Sequence, residues 1–189
     1  IRRLYAQAAA VSNVAAAPAG VAENRAALGQ EVAAIDTAIR RLEQEAAERG
    51  TGVNWANLSG MCLQRAIKTE QLARQQGAVG PQVEQAVKQW LARSLDAADK
   101  AVRLNDKSPE IVFQRATVLD AMKRREEALK DAQAALALAP KEPRYHLMKA
   151  WLLAKLGRKA EAKMALDGYL ALDPSAKDSG AVKQIRKLL

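Results

Sequence analysis

The chain is poor in the residues that build most catalytic and metal centres. Its 189 residues include one cysteine, Cys62, and one histidine, His146. One cysteine excludes an internal disulfide and a cysteine-based zinc site, and a single histidine leaves almost nothing for a histidine-based metal cluster. The sequence contains no glycine-rich phosphate loop and no nucleophile motif. It therefore predicts a protein that is not an enzyme, has no small-molecule substrate and uses no cofactor and no metal.

Aromatic residues are also scarce, and long apolar runs are absent. Aromatic side chains make up 4% of the chain, although hydrophobic residues as a whole reach 49% because alanine is abundant. An alanine-rich, aromatic-poor composition favours closely packed helices over sheets. A membrane-spanning helix needs about 18 or more consecutive apolar residues, and the sequence has no such run. Cys62 has the spacing of a core position in a helix, which predicts a buried, unreactive thiol.

The sequence repeats itself at an offset of 34 residues between Pro109 and Pro174. Seven pairs of residues match at this offset: Pro109/Pro143, Ala116/Ala150, Leu119/Leu153, Ala128/Ala162, Leu136/Leu170, Leu138/Leu172 and Pro140/Pro174. A fixed offset of this length indicates stacked structural repeats. Each repeat predicts two helices, at about 110–123 and 126–138, then at about 143–156 and 160–172. Gly157 falls between the second pair, where a positive φ is favoured.

This pattern resembles the tetratricopeptide repeat, a 34-residue helix pair with small residues at its positions 8, 20 and 27 and proline at position 32. The matching residues are Ala116, Ala128, Ala135 and Pro140, then Ala150, Ala162, Tyr169 and Pro174. Tyr169 departs from the pattern, because a small residue is usual there. The resemblance places His146 at a repeat position that normally faces a neighbouring helix, which implies a packed, hydrogen-bonded imidazole. The resemblance implies an all-α fold, an α-solenoid of such helix pairs, with repeats at 109–142 and 143–174.

The rest of the chain predicts further helices around these repeats. Residues 53–105 predict an elongated, divergent helical hairpin. Its first helix ends at about Gln76, and its second begins at about Pro81. Its tip, near Gln75–Gln82, is expected to stand clear of the array. Residues 175–189 predict a capping helix that covers the last repeat, with Ser179 as its N-cap and Val182 and Ile185 on its apolar face.

Residues 21–50 predict a long N-terminal helix with a heptad seam. The seam consists of apolar residues three or four positions apart: Leu28, Val32, Ile35, Ile39 and Leu42. Such a stripe packs either on helices of the same chain or on a partner, including a second copy through residues 22–49. Residues 1–20 are alanine-rich and predict a flexible arm, with the remains of a targeting segment or a membrane-proximal linker as the alternative. A membrane-associated, organellar or periplasmic location therefore stays open.

The tetratricopeptide resemblance also implies a binding surface, because the first helix of each pair lines a concave groove in that family. The implied groove residues are Glu110, Phe113, Gln114, Thr117, Arg144, Leu147, Met148, Trp151 and Lys155. Phe113, Leu147, Met148 and Trp151 would form an apolar strip. The lysine, asparagine and arginine clamp by which some family members hold a carboxylate is absent. The expected ligand is a helix or an extended apolar segment of a protein partner, or else the chain's own N-terminal helix or arm.

Positive charge is concentrated near the C-terminal end. The net charge is +9, and residues 141–189 hold eleven Lys or Arg against five Asp or Glu. The predicted basic patch comprises Arg158, Lys159, Lys163, Lys183, Arg186 and Lys187. Such a patch is either a solvated surface or a contact for an anionic partner.

Three functions agree with these observations. The leading hypothesis is a non-catalytic interaction module, such as an adaptor, an assembly factor or a scaffold within a multiprotein complex. The second is a permanent structural subunit of a large complex, with a membrane-associated complex as one alternative. RNA binding by a helical repeat is the third. It is disfavoured because single-strand readers need a positive track and stacking aromatics.

Overall fold

The computed structural model describes residues 20–78 and 80–189, and every regular element in these ranges is helical. The elements, in chain order, are α1 (Gly20–Arg49), α2 (Gly52–Gln75), α3 (Pro81–Leu104), α4 (Pro109–Ala121), α5 (Arg125–Leu138), α6 (Pro143–Lys155), α7 (Lys159–Leu172), a short 3-10 helix (Pro174–Asp178) and α8 (Gly180–Leu188). The predicted all-α class is confirmed. The arm predicted at residues 1–20 lies outside the described residues, except for Gly20, which opens α1.

Local sequence signals account for where the helices begin. Proline occupies the first position of α3, α4 and α6, where its missing N–H costs nothing. The Oγ atom of Ser108 accepts a hydrogen bond from the Ile111 amide at the start of α4. Ser179 caps α8 in the same way, through the amide of Val182, as predicted.

Three helices end in the same left-handed turn. Gly77, Gly157 and Lys123 have φ angles of 65°, 75° and 62° respectively. In each turn the amide of the following residue donates to a carbonyl five positions back, as in Arg124 N to Leu119 O at 2.9 Å. This is the Schellman arrangement, in which glycine is favoured because it has no Cβ to clash. The predicted positive φ of Gly157 is confirmed, and Lys123 adopts the same backbone without being glycine.

The described chain divides into two compact units, residues 20–124 and residues 125–189. In the N-terminal unit α1 and α3 both pack against α2, and α4 packs against α3 and α2. Small buried residues let α2 and α3 approach closely. The hydroxyl of Ser94 on α3 donates to the backbone oxygen of Ser59 on α2 at 2.8 Å, so both buried serines are hydrogen-bonded.

The heptad seam of α1 packs inside this unit. Leu28, Ile35 and Ile39 are buried, and Val32 and Leu42 are half-buried. Ile35 and Ile39 share one core cluster with Leu58, Cys62 and Ala97. Of the two alternatives left open for the seam, the structure therefore shows contact with helices of the same chain.

Ion pairs connect α1 to α2 and α3 beside the seam. Asp36 accepts from Arg65 at 2.7 Å, Glu31 pairs with Lys68, and Glu43 pairs with Arg93. The two arginines also flank the ring of Trp90 on α3. The Cζ atom of Arg93 lies 4.5 Å from the ring centroid, and that of Arg65 lies 5.2 Å from it. Both guanidinium groups are thus close enough to the Trp90 ring for cation–π contact, and both are paired with carboxylates of α1.

In the C-terminal unit α6 packs between α5 and α7, and α8 packs against α6. Tyr169, the departure from the small-residue pattern, is buried, as are Val182 and Ile185 on the inner face of α8. The C-terminal helix therefore covers apolar surface of the last repeat, which is the arrangement expected of a cap.

Candidate partner-binding surface

One solvent-accessible line runs along α6, and it is apolar in the middle and basic at the ends. Six of the thirteen residues of this helix are buried, because neighbouring helices cover it on more than one side. The residues that remain at least partly accessible on one face are Arg144, Leu147, Trp151 and Lys155, spaced by three, four and four positions. This spacing keeps them on a single helix face. We refer to these four residues as the α6 stripe.

The equivalent line on α4 is polar. It consists of Glu110, Gln114, Thr117 and Ala121, all of them partly or fully exposed. The hydroxyl of Thr117 donates to the carbonyl oxygen of Phe113, so it is partly satisfied by its own helix. Amide and hydroxyl side chains of this kind can bond to the backbone of a bound segment. We refer to these residues as the α4 stripe.

A third line, on α2, was missed by the sequence analysis. Val53, Asn57, Gly60 and Gln64 are accessible at the same four-three-four spacing as the α4 stripe. A Cβ atom placed on Gly60 would lie 3.6 Å from the side-chain nitrogen of Gln114, so the α2 and α4 stripes are adjacent. The spacing of Trp55, Leu58 and Cys62 already matched the first helix of a repeat. Numbering the positions of the repeat from Trp55 would therefore have identified these four residues.

The predicted apolar strip is wrong at two of its four residues. Phe113 and Met148 are each 1% exposed and belong to the core. Leu147 and Trp151 remain half-buried and accessible. The accessible surface of the first helices is therefore less apolar than predicted, and its apolar part lies on α6.

Charged groups border the apolar part of the α6 stripe. The Nζ atom of Lys155 lies 4.5 Å from the ring centroid of Trp151, which covers one side of the indole. At the other end, the Nε atom of Arg144 donates to Glu142 at 2.8 Å. The hydrogen bond from Arg144 lowers the pKa of the Glu142 carboxyl, so this pair is ionised at neutral pH.

The residues of the predicted basic patch are all exposed, but they do not form one uniform surface. Arg158 forms two hydrogen bonds of 2.7 Å to Glu161, and Lys159 donates to the backbone oxygen of Leu189 at 2.6 Å. Arg186 donates to the backbone oxygen of Lys177. Lys163, Lys183 and Lys187 complete the set on α7 and α8. A contact between this patch and an anionic partner stays a prediction.

The single cysteine and the single histidine, whose side chains could in principle react, are both engaged in packing or hydrogen bonding within the fold. Cys62 is buried, and desolvation raises the pKa of its thiol to about 11, so the reactive thiolate is rare at neutral pH. A ring nitrogen of His146, Nε2, lies 2.8 Å from the carbonyl oxygen of Pro140, as expected of a packed imidazole. Within residues 20–78 and 80–189, no three His, Cys, Asp or Glu residues are grouped so that they could hold a metal ion. None of the helices described here is both long and apolar enough to cross a membrane.

Comparison with known proteins identifies the repeat. The family profile described as "Tetratricopeptide repeat" matches residues 143–175. No curated protein sequence matches the chain significantly.

Two of the similar solved structures have TM-scores above 0.5 and share the fold. "MamA MSR-1 C2" is 19% identical with a TM-score of 0.56, and the match covers 76% of this chain and 70% of that one. "Crystal structure of MamA" is 13% identical with a TM-score of 0.52, over 82% and 84% of the two chains. TTC0263, a thermophilic tetratricopeptide protein of Thermus thermophilus, is 20% identical with a TM-score of 0.48, over 88% and 97%.

At these identities the likeness to the solved structures concerns the fold alone. The matching repeat lies in α6 and α7, and the paired helices before it follow the same plan. Residues 143–175 thus match the tetratricopeptide-repeat family, and the chain shares its fold with solved proteins of similar helical architecture.

Proposed function

We propose that this protein is a non-catalytic interaction module that holds a segment of a partner protein on the α6 stripe. The observation that carries the proposal is the α6 stripe, where the apolar side chains of Leu147 and Trp151 stay partly accessible side by side on one helix face. Tryptophan is enriched in binding hot spots, and the neighbouring leucine extends the apolar surface. The family resemblance supports a protein ligand, since this family generally serves protein–protein interaction.

The polarity of the stripes indicates what kind of segment would bind. On α6 the central residues are apolar and suit an apolar side chain of the ligand. A ligand held by an acidic C-terminus would need a cluster of cations. The two cations of the α6 stripe, Arg144 and Lys155, lie at its opposite ends, and Arg144 is paired with Glu142. A helical or extended segment with apolar anchors therefore fits better than an acidic tail.

The experiment compares capture of binding partners by variants of the α6 stripe. Leu147→Arg places a charge at a partly accessible position, and Trp151→Ala removes the indole. Met164 supplies a matched control, because it is 67% exposed on α7 and lies outside the stripes. We expect a specific partner to be captured by the wild type and by Met164→Ala, and to bind at least about 30-fold more weakly to Leu147→Arg and Trp151→Ala.

Circular dichroism and thermal unfolding of each variant separate lost binding from lost folding. Phe113→Ala is unsuitable for this purpose, because removing a buried phenylalanine costs about 3–5 kcal/mol and would unfold part of the chain. Equal capture of the same partner by the wild type and by both folded stripe variants would refute the proposed surface.

A further inference from the structure

A second surface, separate from the stripes, lies at the free end of the long hairpin. It is an open groove of about 610 Å³ between the end of α2, the first half of α3 and the end of α4. Its apolar wall is formed by Ala73, Val83, Val87, Leu91 and Met122. We call this surface the hairpin groove. We propose that the hairpin groove binds an amphipathic helix of a partner protein whose apolar stripe is edged by acidic residues.

The groove exists because neighbouring helices differ in length. The helix α3 has 24 residues, whereas α4, which packs along it, has 13. At 1.5 Å per residue these lengths are about 36 Å and 20 Å, so α4 covers only part of α3. The apolar residues of the first half of α3 are consequently half-buried, although they have the pattern of a packing face. In the described part of the N-terminal unit, this is where a long apolar face extends beyond the helix packed on it.

The arrangement of the apolar wall favours a helical ligand. Val83, Val87 and Leu91 follow one another at intervals of four residues, which makes a ridge along α3. Ridges of this type pack into the grooves of another helix. Ala73 on α2 also lines the groove, although it is largely buried.

The charges around the groove favour acidic residues on that ligand. Five charged side chains line it: Glu70, Arg74, Glu84, Lys88 and Lys123. Glu70 and Arg74 pair with each other at 2.6 Å. Glu84 lies in the first turn of α3, where the helix dipole already stabilises its charge. Neither Lys88 nor Lys123 forms an ion pair with another described residue, so two cations from two different helices are available to a ligand.

The backbone at Lys123 is a further observation that points to this groove. Its φ of 62° is unfavourable for any residue with a Cβ atom, and the next repeat has Gly157 at the equivalent place. Backbone strain of this kind is often associated with a functional position. Lys123 lines the groove and so adds a cationic side chain to it, which glycine could not do.

The test uses two synthetic peptides of about 18 residues, long enough to form a helix on binding. Both have leucines spaced three and four apart, and one carries glutamates beside the leucine stripe where the other carries lysines. We expect the glutamate peptide to bind the full chain at least about tenfold more tightly in fluorescence anisotropy. The double variant Lys88→Glu/Lys123→Glu should reverse this preference, and Val87→Asp should abolish binding of the glutamate peptide.

A charge-matched control separates the groove from the net charge of the chain. The double variant Lys163→Glu/Lys187→Glu changes the total charge equally but alters exposed lysines of α7 and α8. It should keep the wild-type preference, and so should Leu147→Arg on the α6 stripe. The proposal fails if the glutamate peptide does not bind, if its preference survives reversal of Lys88 and Lys123, or if either control abolishes it. Loss of binding in Leu147→Arg would assign the peptide to the α6 stripe. The capture experiment on the α6 stripe uses no variant of the hairpin groove, so the two proposals can fail separately.

Discussion

At the scale of single residues, the left-handed turn after α4 offers a direct stability test. The left-handed backbone destabilises a residue with a Cβ atom by about 1–2 kcal/mol. Glycine avoids this steric cost, but its larger entropy in the unfolded chain offsets part of the gain. We therefore expect Lys123→Gly to raise the free energy of unfolding by about 1 kcal/mol, measured by urea denaturation. Lys123→Ala keeps the Cβ atom and should bring no comparable gain.

The equivalent turn after α6 supplies the reverse control. A Cβ atom on Gly157 would meet no atom within 4 Å, so Gly157→Ala tests the backbone alone. It should lower the free energy of unfolding by about 1 kcal/mol. If Lys123→Gly and Lys123→Ala had the same stability, the left-handed strain assigned to Lys123 would be wrong.

The errors in the predicted apolar strip show that the sequence does not determine which of two adjacent helix residues is buried. In α4, Phe113 precedes Gln114, and the polar amide takes the accessible place while the phenyl ring is buried. In α6, both Leu147 and Met148 are apolar, and the structure buries Met148 instead. Adjacent residues differ by about 100° around a helix, so only one of two neighbours can point directly into the core, and two apolar neighbours cannot be told apart by polarity. Family positions therefore identify the stripe only to within one residue.

At the scale of helices, the ends of the elements followed from local signals. Gly77, Gly80 and Pro81 marked the tip of the long hairpin, and α3 begins at Pro81 as predicted. The partner of α1 could not be read in the same way. A narrow apolar seam suits a helix of the same chain and a helix of another chain equally well. The choice depends on complementary charges on α2 and α3, such as Arg65 opposite Asp36, whose proximity appears only in three dimensions.

The apolar seam, more than its ion pairs, should hold α1 in place. Ile39 is buried in the cluster with Leu58 and Cys62, so Ile39→Ala should lower the free energy of unfolding of this region by about 2–4 kcal/mol. The ion pairs are partly exposed, and each contributes about 1 kcal/mol or less. Hydrogen exchange of the α1 amides, which should become faster in Ile39→Ala, measures the effect.

Gln44 provides the control on the same helix. Its side chain is exposed, and Gln44→Ala should leave the exchange of α1 nearly unchanged, within about 0.5 kcal/mol. Equal exchange rates in the two variants would contradict a seam that is anchored in the core.

At the scale of the whole molecule, the 34-residue period was sufficient to predict the all-α fold of helix pairs. The division into two compact units was not predictable, because it depends on how strongly successive helices contact each other and not on their boundaries. Chains of stacked repeats are stabilised mainly between neighbours. We therefore expect damage to the C-terminal cap to remain largely confined to the C-terminal unit.

Ile185→Asp tests this expectation, since it places a charge at a buried position between α8 and the last repeat. Hydrogen exchange followed by mass spectrometry should show faster exchange in α6 and α7, with little change in α2 and α3. Gln184→Asp, one position away and only half-buried, introduces the same charge and should have little effect. An equal loss of protection in all helices would mean that the chain unfolds as one cooperative body.

The overhanging hairpin also has a geometric consequence. The α2 and α4 stripes share their spacing, so a bound segment could shift from one to the next with little change in its contacts. The longer helix pair makes these two positions unequal, because its projecting end occurs at one point of the N-terminal unit. A partner that touched it would be locked in a single alignment and direction, and the hairpin would act as a landmark that fixes register on a periodic surface.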